Sequence, residues 1–99
     1  MPDPSDVPVA DILMPGGKPV GTRGTTPDIR RLKGGLPAAE DIFRRIAAGG
    51  TAHTPAKYPG RGVILAGGGW VGFRPKSATG EPTIDVNIPG IPTTKLKFE

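Results

Sequence analysis

The chain has 99 residues, 16 of them glycine and 13 proline, a density of backbone-restricting residues that leaves room for one small core and excludes a two-domain enzyme. It has no cysteine and one histidine, His53, which excludes disulfides and thiolate zinc sites and argues against a histidine-built metal centre. The formal charge of +4 is uneven: residues 1–43 hold five basic and six acidic groups, residues 44–99 eight basic and three acidic, so the C-terminal part favours polyanions, nucleic acid first and acidic proteins second.

No apolar run reaches the roughly 20 residues that cross a bilayer, and residues 1–6 lack the basic start and apolar stretch of a signal peptide, so the chain reads as soluble. Residues 1–35 hold 12 of the glycines and prolines and no lasting apolar period; they read as an irregular leader or linker, with Val7, Val9, Ile12 and Leu13 available to pack onto the domain. Next comes a helix. Pro37 suits its first turn, Ala39, Ile42, Phe43, Ile46 and Ala47 make one apolar stripe, Glu40 and Asp41 precede Arg44 and Arg45 as the macrodipole favours, and Gly49-Gly50 ends it.

Beyond Gly50 the apolar period falls from 3.6 to 2. Residues 61–66 and 70–74 flank a triple glycine and read as a hairpin, residues 75–82 as a polar loop, and residues 83–88 and 93–98 as two further alternating strands. The economical assembly is an α+β domain over residues 36–99, one main N-terminal helix packed on a four-stranded antiparallel sheet, preceded by the irregular leader. Its other sheet face would carry Arg74, Thr83, Asp85, Asn87, Lys95 and Lys97.

The residues that could carry chemistry suit cleavage of RNA by its own 2′-hydroxyl, which needs a base, donors for the charge developing on phosphate, and an acid for the 5′-oxygen. His53 could be base or acid, Arg74 can grip phosphate oxygens, Asp85 can orient a partner or move the second proton, and Ser77, Thr79 and Thr83 offer hydroxyls. Lys57, Arg61, Lys76, Lys95 and Lys97 are candidate RNA-backbone contacts. Each has a plainer reading: Arg74 and Asp85 suit a cross-strand ion pair, Lys95 and Lys97 suit protection of a sheet edge, and Trp70 and Tyr58 could stack on bases or belong to the hairpin and core. The triple glycine lacks the lysine and the helix of a phosphate-binding loop, and no metal or other cofactor is expected.

The segments at residues 50–60 and 72–77 and the run Pro82-Thr83-Ile84-Asp85-Val86-Asn87 together resemble the C-terminal toxin modules of bacterial polymorphic toxins of the contact-dependent inhibition and Rhs types. The order of one helix and then antiparallel strands is similar to the ribonuclease superfamily that includes barnase, EndoU, RelE and the colicin-type tRNases. The resemblance spans about residues 36–99, but a strand glutamate flanked by arginines, as in barnase, and the second histidine of an EndoU site are missing. It implies a metal-independent endoribonuclease, secreted as part of a larger toxin and delivered to the cytoplasm of a competitor cell. It also implies RNA, tRNA included, as substrate, and an acidic immunity protein as the partner of an otherwise monomeric domain. The alternatives are a non-catalytic RNA-binding or protein-interaction module, and a toxin of other chemistry, either a DNase or a nucleotide-modifying transferase.

Overall fold

The computed structural model describes residues 8–99, so the expectation for Val7 lies outside the described residues. The chain runs through a short helix α1 (Val9–Leu13), a 3-10 turn (Pro15–Gly17), β1 (Thr22–Arg23), β2 (Ile29–Leu32), a long helix α2 (Gly35–Ala47), β3 (Thr51–Ala52), β4 (Arg61–Ile64), β5 (Trp70–Arg74), β6 (Thr83–Asn87) and β7 (Lys95–Phe98). The seven strands described form one sheet in the order β1-β2-β7-β6-β5-β4-β3. β2 pairs with β7 in parallel and every other pair is antiparallel, so the sheet is mixed.

This corrects the expected fold. The helix and the four strands of residues 61–98 are present, but the architecture is sheet-dominated and seven-stranded, and residues 22–32 are not an irregular leader. They supply the two strands beyond β7. Their glycines and prolines flank the strands, and the parallel pairing of β2 depends on β7, more than 60 positions away, which no local period can announce. Arg30 helps hold this added edge: its guanidinium donates to the backbone carbonyls of Val20, Gly21 and Pro27 at 3.0–3.2 Å.

The apolar stripe of α2 explains where the core lies. Ala39, Phe43 and Ile46 are buried against Val71 and Phe73 of β5, Ile84 and Val86 of β6, and Leu96 and Phe98 of β7. Phe43 and Phe73 meet with ring centroids 5.4 Å apart. Leu13 is fully buried in the same cluster, with Val9, Ile12 and Met14 packed against it, so α1 covers part of the core that α2 leaves open. Each large side chain so buried contributes roughly 1.5–3 kcal/mol.

α2 begins two residues before Pro37, and its start is closed by the residue that follows β7: the backbone N–H groups of Gly34 and Gly35 both donate to the carbonyl oxygen of Glu99 at 3.1 Å. Gly34 is at φ 104°, and a Cβ there would approach that of Ala38 to 2.6 Å, so only glycine makes this entry without strain. Among the described residues, no helix is long and apolar enough to cross a membrane.

Candidate active site

Because side chains alternate along a strand, the sheet face turned away from α2 is built from Trp70, Gly72 and Arg74 of β5, Thr83, Asp85 and Asn87 of β6, Lys95 and Lys97 of β7, and Ile29 and Arg31 of β2. The strand registers sort these into cross-sheet rows. One reads Arg74, Thr83, Lys97, Arg31; the next reads Gly72, Asp85, Lys95, Ile29; a third, nearer the β4–β5 turn, reads Ile64, Trp70, Asn87. Neighbours in a row are one strand spacing, about 4.8 Å, apart. The first row thus gathers three cations and a hydroxyl on four adjoining strands.

Each of those cations meets a carboxylate. Arg74 forks onto Asp85, Nε to Oδ2 at 2.8 Å and an Nη to Oδ1 at 2.9 Å. Lys97 Nζ donates to Glu81 Oε1 at 2.9 Å and to Thr79 Oγ1 at 3.1 Å, and Arg31 lies 3.3 Å from Glu99. Between Arg74 and Lys97 in the row, Thr83 is fully buried and its hydroxyl donates to the Glu81 carbonyl oxygen.

The β5–β6 loop closes on itself to supply the remaining polar groups. Ser77 N–H donates to the Glu81 carbonyl, Gly80 N–H donates to the Ser77 carbonyl, and the Ser77 and Thr79 hydroxyls both donate to the Glu81 carboxylate. The Thr79 hydroxyl and then the Lys97 ammonium hold Glu81 well below the usual carboxylate range, at about 2. Glu81 is therefore an anion at every working pH and a weak base.

Tyr58 completes the other end. Its hydroxyl donates to Asp85 Oδ2 at 2.6 Å; burial first, and then Asp85's hydrogen bond and charge, push the phenol upward and keep it protonated. Burial opposes the charge on Arg74, but the bonds to Asp85 outweigh it and the guanidinium is held above its ordinary value. Tyr58 stands edge-to-face against Trp70 with centroids 5.2 Å apart, and the Trp70 indole donates from Nε1 to the carbonyl of His53. This packing needs bare backbone beneath it: a Cβ on Gly62 would come within 2.5 Å of the indole, and one on Gly72 within 2.2 Å of the Tyr58 oxygen. Residues 53–60 thus lie against the Gly62–Gly72 row of a face expected to be open, and Ile64 and Asn87 in the row beyond it stay exposed.

The structure brings together Arg74, Ser77, Thr83, Asp85 and Lys97 of the expected residues. It does not bring His53 to Asp85. His53 donates through its backbone to Gly62, its side chain is exposed, and Gly62 and Gly72 separate it from Asp85 by three strand spacings, roughly 14 Å. Arg61 lies on the helix side, its guanidinium 5.5 Å and 5.0 Å from the ring centroids of Phe43 and Phe73. Lys57, at φ 67°, and Lys76 are exposed on loops, and Lys95 is half-buried beside Asp85 and has no ion pair among the described residues.

Sequence reasoning missed Tyr58 as the partner of Asp85, Glu81 as the acceptor for three donors, and Arg31 altogether. The one available signal was glycine inside two paired strands, which marks close approach of another group. No protein-family model matches the chain, and no curated protein and no solved structure matches it. Among the described residues, no three histidine, aspartate or glutamate side chains gather as metal ligands. A groove of about 290 Å³ lies at the Lys97–Arg31 half of the cationic row, and its lining also includes Lys95 and the carboxylates of Glu81 and Glu99.

Proposed function

We propose that the domain is a metal-independent endoribonuclease that cleaves RNA by attack of the 2′-oxygen, leaving a 2′,3′-cyclic phosphate and a 5′-hydroxyl. The observation that carries this reading is the Arg74, Thr83, Lys97, Arg31 row, with the Ser77 and Thr79 hydroxyls at its edge and a groove alongside. Arg74 and Arg31 hold the non-bridging oxygens and offset the charge that develops there, while the Ser77 and Thr79 hydroxyls, committed to Glu81, fix the loop at the row's edge. Asp85, hydrogen-bonded to Tyr58, takes the 2′ proton, and Lys97 supplies the proton that the departing 5′-oxygen needs. His53 is left to contact substrate. In the same reading the domain acts in the cytoplasm of a competitor cell as the end of a larger secreted toxin, and an acidic immunity protein covers the cationic face.

Purified protein with total RNA in excess EDTA should release cyclic-phosphate ends and leave DNA intact, with Lys97→Ala and Arg74→Ala each slowing cleavage by roughly 10²–10³. Abolition by chelator, or no RNA cleavage at all, rejects the proposal. A second reading, a non-catalytic RNA-binding or protein-interaction module, is favoured by one specific observation: every cation of the row already has a carboxylate partner. Salt-sensitive RNA binding without cleavage distinguishes it.

A further inference from the structure

One feature of the outer face takes no part in the phosphate chemistry. In the third row, Trp70 is flanked by Ile64 on β4 and Asn87 on β6. Among the described residues, Ile64 is one of two large apolar side chains that stay exposed, at 45%, and Asn87 is exposed as well. Trp70 is half-buried: Gly62 and Gly72 lie against it on the sheet side, Tyr58 braces it, and its Nε1 is fixed to the His53 carbonyl. The result is an aromatic ring fixed over two glycines of the neighbouring row, with an apolar side chain and an amide that can both donate and accept beside its strand position on the two adjoining strands. Trp70 and Arg74 lie on the same face of β5, four residues or about 13 Å apart, so the ring is continuous with the cationic row.

From this arrangement we infer that Trp70, Ile64 and Asn87 form a seat for an unpaired nucleobase of an RNA strand whose phosphates lie on the Arg74–Lys97 row. The placement of the phosphates rests on the ribonuclease reading; the seat itself rests on the ring and its flanks. A base stacks on the indole, its edge meets the Asn87 amide, and Ile64 excludes water from one side. Such a seat takes single-stranded RNA and excludes a base locked in a duplex, and it tolerates base identity because every base has a π-face. The two-glycine platform beneath the ring explains why β4 and β5 each carry a glycine where a β-branched residue would pair better.

Trp70 is the sole tryptophan, so its fluorescence reports the seat directly. The probes are a 2′-O-methylated hexauridine, which cannot be cleaved, and an abasic sugar-phosphate strand of the same length and charge. The hexauridine should quench Trp70 and bind roughly five- to a hundredfold more tightly than the abasic strand. Asn87→Ala, a change at an exposed position, should weaken hexauridine binding and leave abasic binding as it was. Equal affinities for the two strands, or binding without quenching, overturns the inference. Cleavage of unmodified RNA is scored separately: cleavage with no preference for bases removes the seat and leaves the ribonuclease, whereas quenching and base preference without cleavage removes the ribonuclease and leaves the seat.

Discussion

Arg74 and Asp85 are joined by two hydrogen bonds across adjacent strands, at 2.8 and 2.9 Å, with side chains only 16% and 19% exposed. They are not opposite each other: Arg74 is in register with Thr83, and Asp85 with Gly72, so the pair is a diagonal that the absence of a side chain at Gly72 leaves room for. Tyr58 closes the arrangement through Asp85. This pair joins the cationic row to the aromatic cover.

Removing Asp85 should therefore cost more than removing both partners. Asp85→Ala strands a largely buried guanidinium and the Tyr58 hydroxyl, and should lower stability by about 2–4 kcal/mol. The double variant with Arg74→Ala should be less destabilised than the two single losses added together, with a coupling of about 1–3 kcal/mol in urea unfolding. Additive losses would show that the two side chains do not act as a unit.

Gly72→Ala adds a Cβ 2.2 Å from the Tyr58 oxygen and 2.4 Å from Trp70, so one ring must leave its place. A loss of about 1–3 kcal/mol and an altered tryptophan emission are expected. Gly67→Ala, in open space at an ordinary φ, should change stability by less than about 0.5 kcal/mol. Equal behaviour of the two variants in thermal melts followed by fluorescence would contradict the packing described.

The carboxyl of Glu81 is held down to about 2 from an ordinary 4.5, first by the Thr79 hydroxyl and then by Lys97. A depressed carboxylate stabilises the fold fully above its unfolded value and loses that contribution as pH falls through the folded one. The stability gap between the parent and Glu81→Gln should be constant above about pH 5 and shrink between about pH 4.5 and pH 2. A gap that stays constant down to pH 2 in acid-titrated melts would show that these partners do not act on Glu81.

Leu13 is fully buried although it lies in the glycine- and proline-rich N-terminal third. Leu13→Ala should cost about 2–5 kcal/mol in urea unfolding, as a core position does, whereas an appended segment would tolerate it.

The local patterns of the sequence determined α2 and its buried stripe, the four alternating strands from β4 to β7, and the polar side of β6 and β7, because helix and strand periods are properties of consecutive residues. Arg74 and Asp85 could be named as partners because both fall on one face of neighbouring strands. What only the tertiary structure decided is everything that depends on which distant segments share hydrogen bonds. The parallel docking of β2 on β7 recruited Arg31 from a stretch with no period of its own, the loop of residues 53–60 folded back to put Tyr58 on Asp85, and the spread of strands between His53 and Asp85 kept those two apart. Periodicity says which way a side chain points, but strand order and register say what it meets, and those arise from pairing energies between segments far apart in the chain.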